Sequence, residues 1–141
     1  MFNQKNNGFN PMRWDCDKQG CFNKKMRPKI EVFSGCFPGR INFGDVDGIV
    51  EINGKGLMLE WKNFSIIIPI GQKIMYERLT KTGILSAILV LGNAETMEIK
   101  KFCWFKNGNQ SIWLESNLDN LKSEIKKWVS FTIGGNNVRL D

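Results

Sequence analysis

Apolar and polar positions fall into short, regular blocks from Asp45 onward. DVDGIVEI is a β-rich run, NGKG a strong hairpin turn, and LMLEW a second strand. KNFSIIIPI leads into GQKIMYERLTKTG, where Ile74, Met75 and Leu79, with Tyr76, form a helical stripe and Gly83 stands as the C′ stop. ILSAILVLG is almost continuously apolar, the pattern of a strand covered on both faces. MEIKKFCWF and QSIWLE read as a further strand pair around the turn KNGN. SNLDNLKSEIKKWVSF is an amphipathic helix with Leu118, Leu121, Ile125 and Trp128 on one face and Ser116 or Asn117 as its cap. Upstream, PKIEVFSGCFPGR reads as a short strand entering a Gly/Pro turn, and residues 1–27 form an irregular arm without a clear period. The order is arm, hairpin, helix, strand, hairpin, helix, with no internal repeat. It predicts one α/β domain: a basic arm over residues 1–40 packed on a core over residues 41–141.

Composition narrows the chemistry. A chain of 141 residues supports a single core, and 42% hydrophobic with 24% charged residues is an ordinary globular balance. No stretch approaches 18 apolar residues and none has the length of a signal peptide, so a cytoplasmic protein without membrane partners is expected. Histidine is absent, which removes Ser-His-Asp and Cys-His catalysis and histidine metal sites together. Hydrolysis would run on carboxylates, lysine and a hard metal ion. The net charge is +6, and residues 1–40, with eight basic and three acidic residues, carry +5 of it. Such an arm suits a phosphate backbone, with Arg13, Lys24, Lys25, Arg27 and Arg40 as candidate contacts.

The four cysteines lie at 16, 21, 36 and 103. Cys16 and Cys21 fall within the loose spacing of zinc ligands and Cys36 supplies a third thiolate, so a structural zinc or iron–sulfur site stands beside the alternative of reduced thiols. Cys103, inside IKKFCWF, reads as a buried thiol.

Strand alternation then sorts the charges onto faces. In LMLEWK, Leu57, Leu59 and Trp61 share one face, and Met58, Glu60 and Lys62 the other. In the preceding strand Asp45, Asp47, Ile49 and Glu51 fall together, and a normal hairpin brings Asp47 beside Glu60 with Lys62 next to them. The neighbouring apolar runs imply that this sheet is covered, where charges are costly unless they bind something. Two close carboxylates repel, and Mg²⁺ or Mn²⁺ relieves that repulsion while keeping waters and substrate phosphate oxygens in its shell.

This constellation resembles the PD-(D/E)XK nuclease superfamily, whose signature is an aspartate on one strand and Asp/Glu-x-Lys on the next. Asp47, Glu60 and Lys62 match those roles. GDVD is similar to the G-x-x-D of RecB-type nuclease domains, which favours Asp47 over Asp45. Gln72 and Tyr76 match the Gln-x-x-x-Tyr that follows in those domains. IPIGQKIMYERLTKTGILSAILVL further resembles the VRR-NUC and Holliday-junction-resolvase-like branch. The match covers residues 41–92; Val46 stands where the literal motif has proline, and the cysteine pattern is not that of the iron–sulfur members.

The resemblance implies a restriction-endonuclease-like fold, a central mixed β-sheet flanked by helices. It implies a Mg²⁺- or Mn²⁺-dependent DNA nuclease, expected here as a structure-specific endonuclease of phage or mobile-element type, with RNA left open as substrate. Asp47 and Glu60 would bind metal, Lys62 would position water, and Gln72 would orient lysine, phosphate or water. Asp45, Glu31 and Tyr76 are the further candidates. A homodimer with two sites on two strands is the expected assembly. The alternative is an inert protein on the same scaffold that binds DNA or inhibits a partner.

Overall fold

The run ILSAILVLG becomes β3 (Leu85–Gly92), and from Ser86 onward every residue in it is buried. In this computed structural model, which describes residues 28–64 and 67–134, β3 is an inner strand of a mixed six-stranded sheet. The sheet runs β1 (Gly48–Ile52), β2 (Lys55–Lys62), β3, β4 (Ile99–Lys106), β5 (Asn109–Gln110), and β6 (Leu114–Glu115) also pairs with β4. Pairing is antiparallel except between β2 and β3. The parallel step requires a crossover, and α1 (Ile70–Leu79) lies in it. The fold is α/β, with helices flanking the sheet.

The two tight hairpin turns follow from Asn-Gly pairs. Asn53-Gly54 and Asn107-Gly108 all have positive φ, the geometry of a type I′ turn whose twist matches the strands it joins. Below the sheet, α2 (Leu118–Ile133) starts at Asn117, whose side chain accepts from the Asn120 N–H, and stops at Gly134 in the left-handed region. Leu121 and Trp128 are buried from α2 against Leu57, Ile88, Val90, Phe102 and Trp104, with Leu118 and Ile125 packed at the margin. The expected face and cap of this helix both hold.

The opposite face is built differently. Met58, Ala87, Leu89, Cys103 and Phe105 meet a single buried residue of α1, Tyr76. Ile74, Met75 and Leu79 are exposed, so the expected apolar stripe is not the buried face. The inward residues are Gln72, Tyr76 and Thr80, one helical turn apart. Tyr76 packs against the Phe105 ring at 5.2 Å, and the Thr80 hydroxyl accepts from the Gly108 N–H at 3.3 Å. The helix ends at Leu79, the Thr80 hydroxyl donates back to the Tyr76 carbonyl at 2.7 Å, and Gly83 lies in the following turn instead of at C′.

The chain divides into two compact units, Met1–Gly44 and Asp45–Asp141. In the first, Ile30–Cys36 form a 3₁₀ helix and not the expected strand. Short-range bonds such as Val32 N–H to the Lys29 carbonyl satisfy its backbone locally, and no residue of it is buried. Phe33 and Phe37 each stand edge-on to Phe43. The QSIWLE segment forms two short strands, β5 and β6, separated by Ser111–Trp113. Among the described residues no helix is long and apolar enough to cross a membrane.

One contact fixes where β2 ends. The Trp61 indole N–H donates to the Gly92 carbonyl at 3.1 Å, and the ring lies across Gly92, where β3 and β4 shift register. A Cβ there would sit 2.6 Å from the Glu98 carbonyl oxygen and 2.7 Å from the indole. Neither neighbour is a flexible side-chain end. Gly92→Ala is expected to lower stability by roughly 1–3 kcal/mol, as overpacking does. The measurement is a urea midpoint that falls at constant slope; an unchanged midpoint would mean that Trp61 yields freely.

Candidate metal and phosphate site

The β1–β2 ladder pairs Gly48 with Leu59, so Asp47, one residue before the ladder, faces Glu60. Asp47 does not extend the sheet with its backbone. Its carboxylate Oδ2 accepts the Trp61 backbone N–H at 2.6 Å, a short bond of the charge-assisted kind. Trp61 is thus held through main chain and side chain together, and its neighbours Glu60 and Lys62 project to the other face of β2.

Lys62 Nζ lies 3.6 Å from Glu60 Oε1, with the lysine side chain 21% and the glutamate 13% exposed. Helix α1 packs over β3 and β4, while Ile49 of β1, on the Glu60 face, remains 66% exposed. The pair therefore lies at the margin of the covered area, where solutes have access. Tyr76, 2% exposed, brings its hydroxyl close enough to Glu60 to stabilise the charged carboxylate, and it accepts from Gln72 Nε2 at 3.2 Å. The Gln72 carbonyl oxygen is buried with no hydrogen-bond partner among the described residues. Leaving such an acceptor unpaired is costly, and an ordered water or ligand donor would relieve it.

Burial first and the Asp47 charge second push the Glu60 carboxyl above its ordinary value, against the opposing pull of Lys62 and Tyr76. The Tyr76 phenol is pushed up by burial and by the negative charge of Glu60, which keeps it a hydroxyl donor at neutral pH. Raised carboxyls beside a second carboxylate are the pattern of functional sites. Among the described residues no three acids or cysteines converge as a ready metal cage. Two carboxylates, one of them penalised by the other, suit Mg²⁺ or Mn²⁺, because magnesium takes one or two protein carboxylates and keeps its waters; calcium would want more oxygens.

The chain matches no family model, no curated protein and no solved structure. The geometry of its own residues therefore carries the reading.

Of the residues singled out in the sequence, Asp47, Glu60, Lys62, Gln72 and Tyr76 come together. Asp45 is exposed, and Asp47 is the aspartate whose charge acts on Glu60. Glu31 and Arg40 are exposed residues of the Met1–Gly44 unit, and Cys36 is an exposed free thiol of the same unit. Arg13, Lys24, Lys25, Arg27, Cys16 and Cys21 lie outside the described residues. Cys103 is fully buried, and burial pushes its thiol up to about 11. The sequence reading missed Trp61 as the clamp of the site. The signal was available: an aromatic between Glu60 and Lys62 necessarily points into the opposite face.

The raised Glu60 pKa has a defined consequence. A carboxyl whose folded pKa exceeds its unfolded value of 4.5 stabilises the fold fully below pH 4.5, and this contribution is lost as pH rises through the folded pKa. Glu60→Gln, which fixes the neutral form, is expected to melt higher than wild type at pH 7. The advantage should vanish toward and below pH 4.5. Thermal melts at both pH values check it; a lower melting temperature for the variant at pH 7 would mean that the Lys62 pairing outweighs burial.

Proposed function

We propose that the protein is a Mg²⁺- or Mn²⁺-dependent deoxyribonuclease of the PD-(D/E)XK type. The observation that carries this reading is the convergence of Asp47, Glu60 and Lys62 at the open margin of the sheet, with Lys62 3.6 Å from a carboxylate that burial and Asp47 both disfavour. Asp47 and Glu60 would hold the cation, which on binding supplies Lewis-acid polarisation of the phosphate and acidifies a water. Asp47 offers Oδ1 for this while Oδ2 stays with Trp61. Lys62 donates hydrogen bonds to the attacking water and to the charge growing on the phosphate. Tyr76 orients Glu60, and Gln72 in turn holds the Tyr76 hydroxyl. In the reaction the water oxygen bonds to phosphorus and gives up a proton to solvent, one P–O ester bond breaks, and the departing oxygen takes up a proton from solvent. The fold offers little surface for reading bases, so structural features such as flaps, junctions or ends are the preferred targets.

The test is cleavage of a labelled panel of duplex, single strand, flap and four-way junction with Mg²⁺, with Mn²⁺ and with EDTA. Glu60→Ala and Lys62→Ala are each expected to cut at least about 10²-fold more slowly, as when a group that stabilises transition-state charge is removed. Their circular dichroism should match wild type. Undiminished cutting by both variants overturns the assignment, and DNA retention without cutting by wild type would point to a binding protein.

A further inference from the structure

Sheet register carries the site further than its own residues. Lys62 of β2 pairs with Leu91 of β3, and Leu91 pairs with Lys101 of β4. The three lie in one row, on the α1 face, so Lys101 stands two strand spacings, about 10 Å, from Lys62. Leu91 and Lys101 line a cleft of about 290 Å³ that also takes in Lys73 of α1, Phe105, Gln110 and Trp113. Its lining combines apolar Ile67, Ile68, Leu91 and Phe105 with the cationic Lys73 and Lys101.

Trp113 is half-buried, and Lys101 Nζ sits 5.3 Å from its ring centroid. A cation over an aromatic face keeps its three N–H donors for another acceptor. Lys73 reaches Glu77 Oε2 at 3.9 Å on an exposed helix surface, a pairing that contributes little and is readily exchanged. Both ammonium groups are therefore available to an anion. The Gln110 side-chain amide donates to the Cys103 sulfur at 3.6 Å. An aromatic wall, two lysines and an amide around a volume near the lower limit of small-ligand pockets fit one unstacked nucleotide and exclude a duplex.

We propose that this cleft is a single-strand subsite of the nuclease site: a base takes the place of the Lys101 ammonium on the Trp113 ring, and the flanking phosphates contact the displaced Lys101 and Lys73. The inference rests on the proposed function in taking the DNA strand past Glu60 and Lys62.

The experiment measures anisotropy of a fluorescein-labelled oligothymidylate with the full chain in EDTA, across a salt series. Trp113→Leu is expected to weaken binding about tenfold, the scale of one lost base stack, and Trp113→Phe to recover most of it. Lys101→Gln should flatten the slope of log affinity against log salt by about 0.7, the share of one single-strand phosphate contact. If Trp113→Leu loses its circular dichroism spectrum, the Lys101→Gln slope decides. Unchanged affinity and slope, in a protein whose cutting still depends on Glu60, overturn the cleft and leave the nuclease standing. Weakened binding in a protein that never cuts supports the cleft and removes the nuclease.

Discussion

The burial of β3 on both faces is the constraint from which the rest follows. A strand of Ser86, Ala87, Ile88, Leu89, Val90 and Leu91 has no face for water, so each side must be roofed. On one side α2 supplies Leu121 and Trp128, with leucine and isoleucine at the margins. On the other side the roof is α1, which belongs to the crossover that the parallel β2–β3 pairing demands. One requirement thus fixes the inner strand, the crossover and the helix that overhangs Glu60.

The two roofs differ in a way that bears on function. The α2 side is sealed by large apolar groups. The α1 side holds one buried helical residue, Tyr76, whose ring does the packing and whose hydroxyl serves Glu60. Placing carboxylates under such a roof costs stability, because burial and the Asp47 charge both oppose ionisation of Glu60. The compensation is local: the Trp61 N–H for Asp47, and Lys62 and the phenol for Glu60. Beside them, the Gln72 amide donates to the phenol oxygen, and its own carbonyl oxygen is buried without a partner among the described residues.

The sequence was legible where local chemistry decides. Asn-Gly turns, the continuous apolar run of β3 and the stripe and cap of α2 all act within a few residues, and the alternation in LMLEWK put Glu60 and Lys62 on the correct face. It was illegible where partners decide. Counting apolar residues in α1 selects Ile74, Met75 and Leu79, but only Tyr76 of that helix enters the apolar cluster over β3 and β4, and polar Gln72 and Thr80 are its inward neighbours. Ile30 and Val32 alternate like a strand, yet short-range bonds settled the segment as a 3₁₀ helix. Lys101 and Trp113 carry no motif, because their value comes from a register that no local pattern encodes.

That register also explains why the site and the cleft share one face. Residues two apart on β2 and β4 return to the same side, so Glu60 and Lys62 point the same way as Cys103 and Lys101 once Leu91 fixes the pairing. A slip of one residue between β3 and β4 would carry Lys101 to the α2 side, into an apolar core without a counter-charge. The same slip would move Phe102 and Trp104 out of the α2 core and onto the α1 face, where Cys103 and Phe105 are now buried. Core packing therefore enforces the row Lys62–Leu91–Lys101, and the two-strand separation of its lysines along the backbone is set by hydrophobic burial on the opposite side of the sheet.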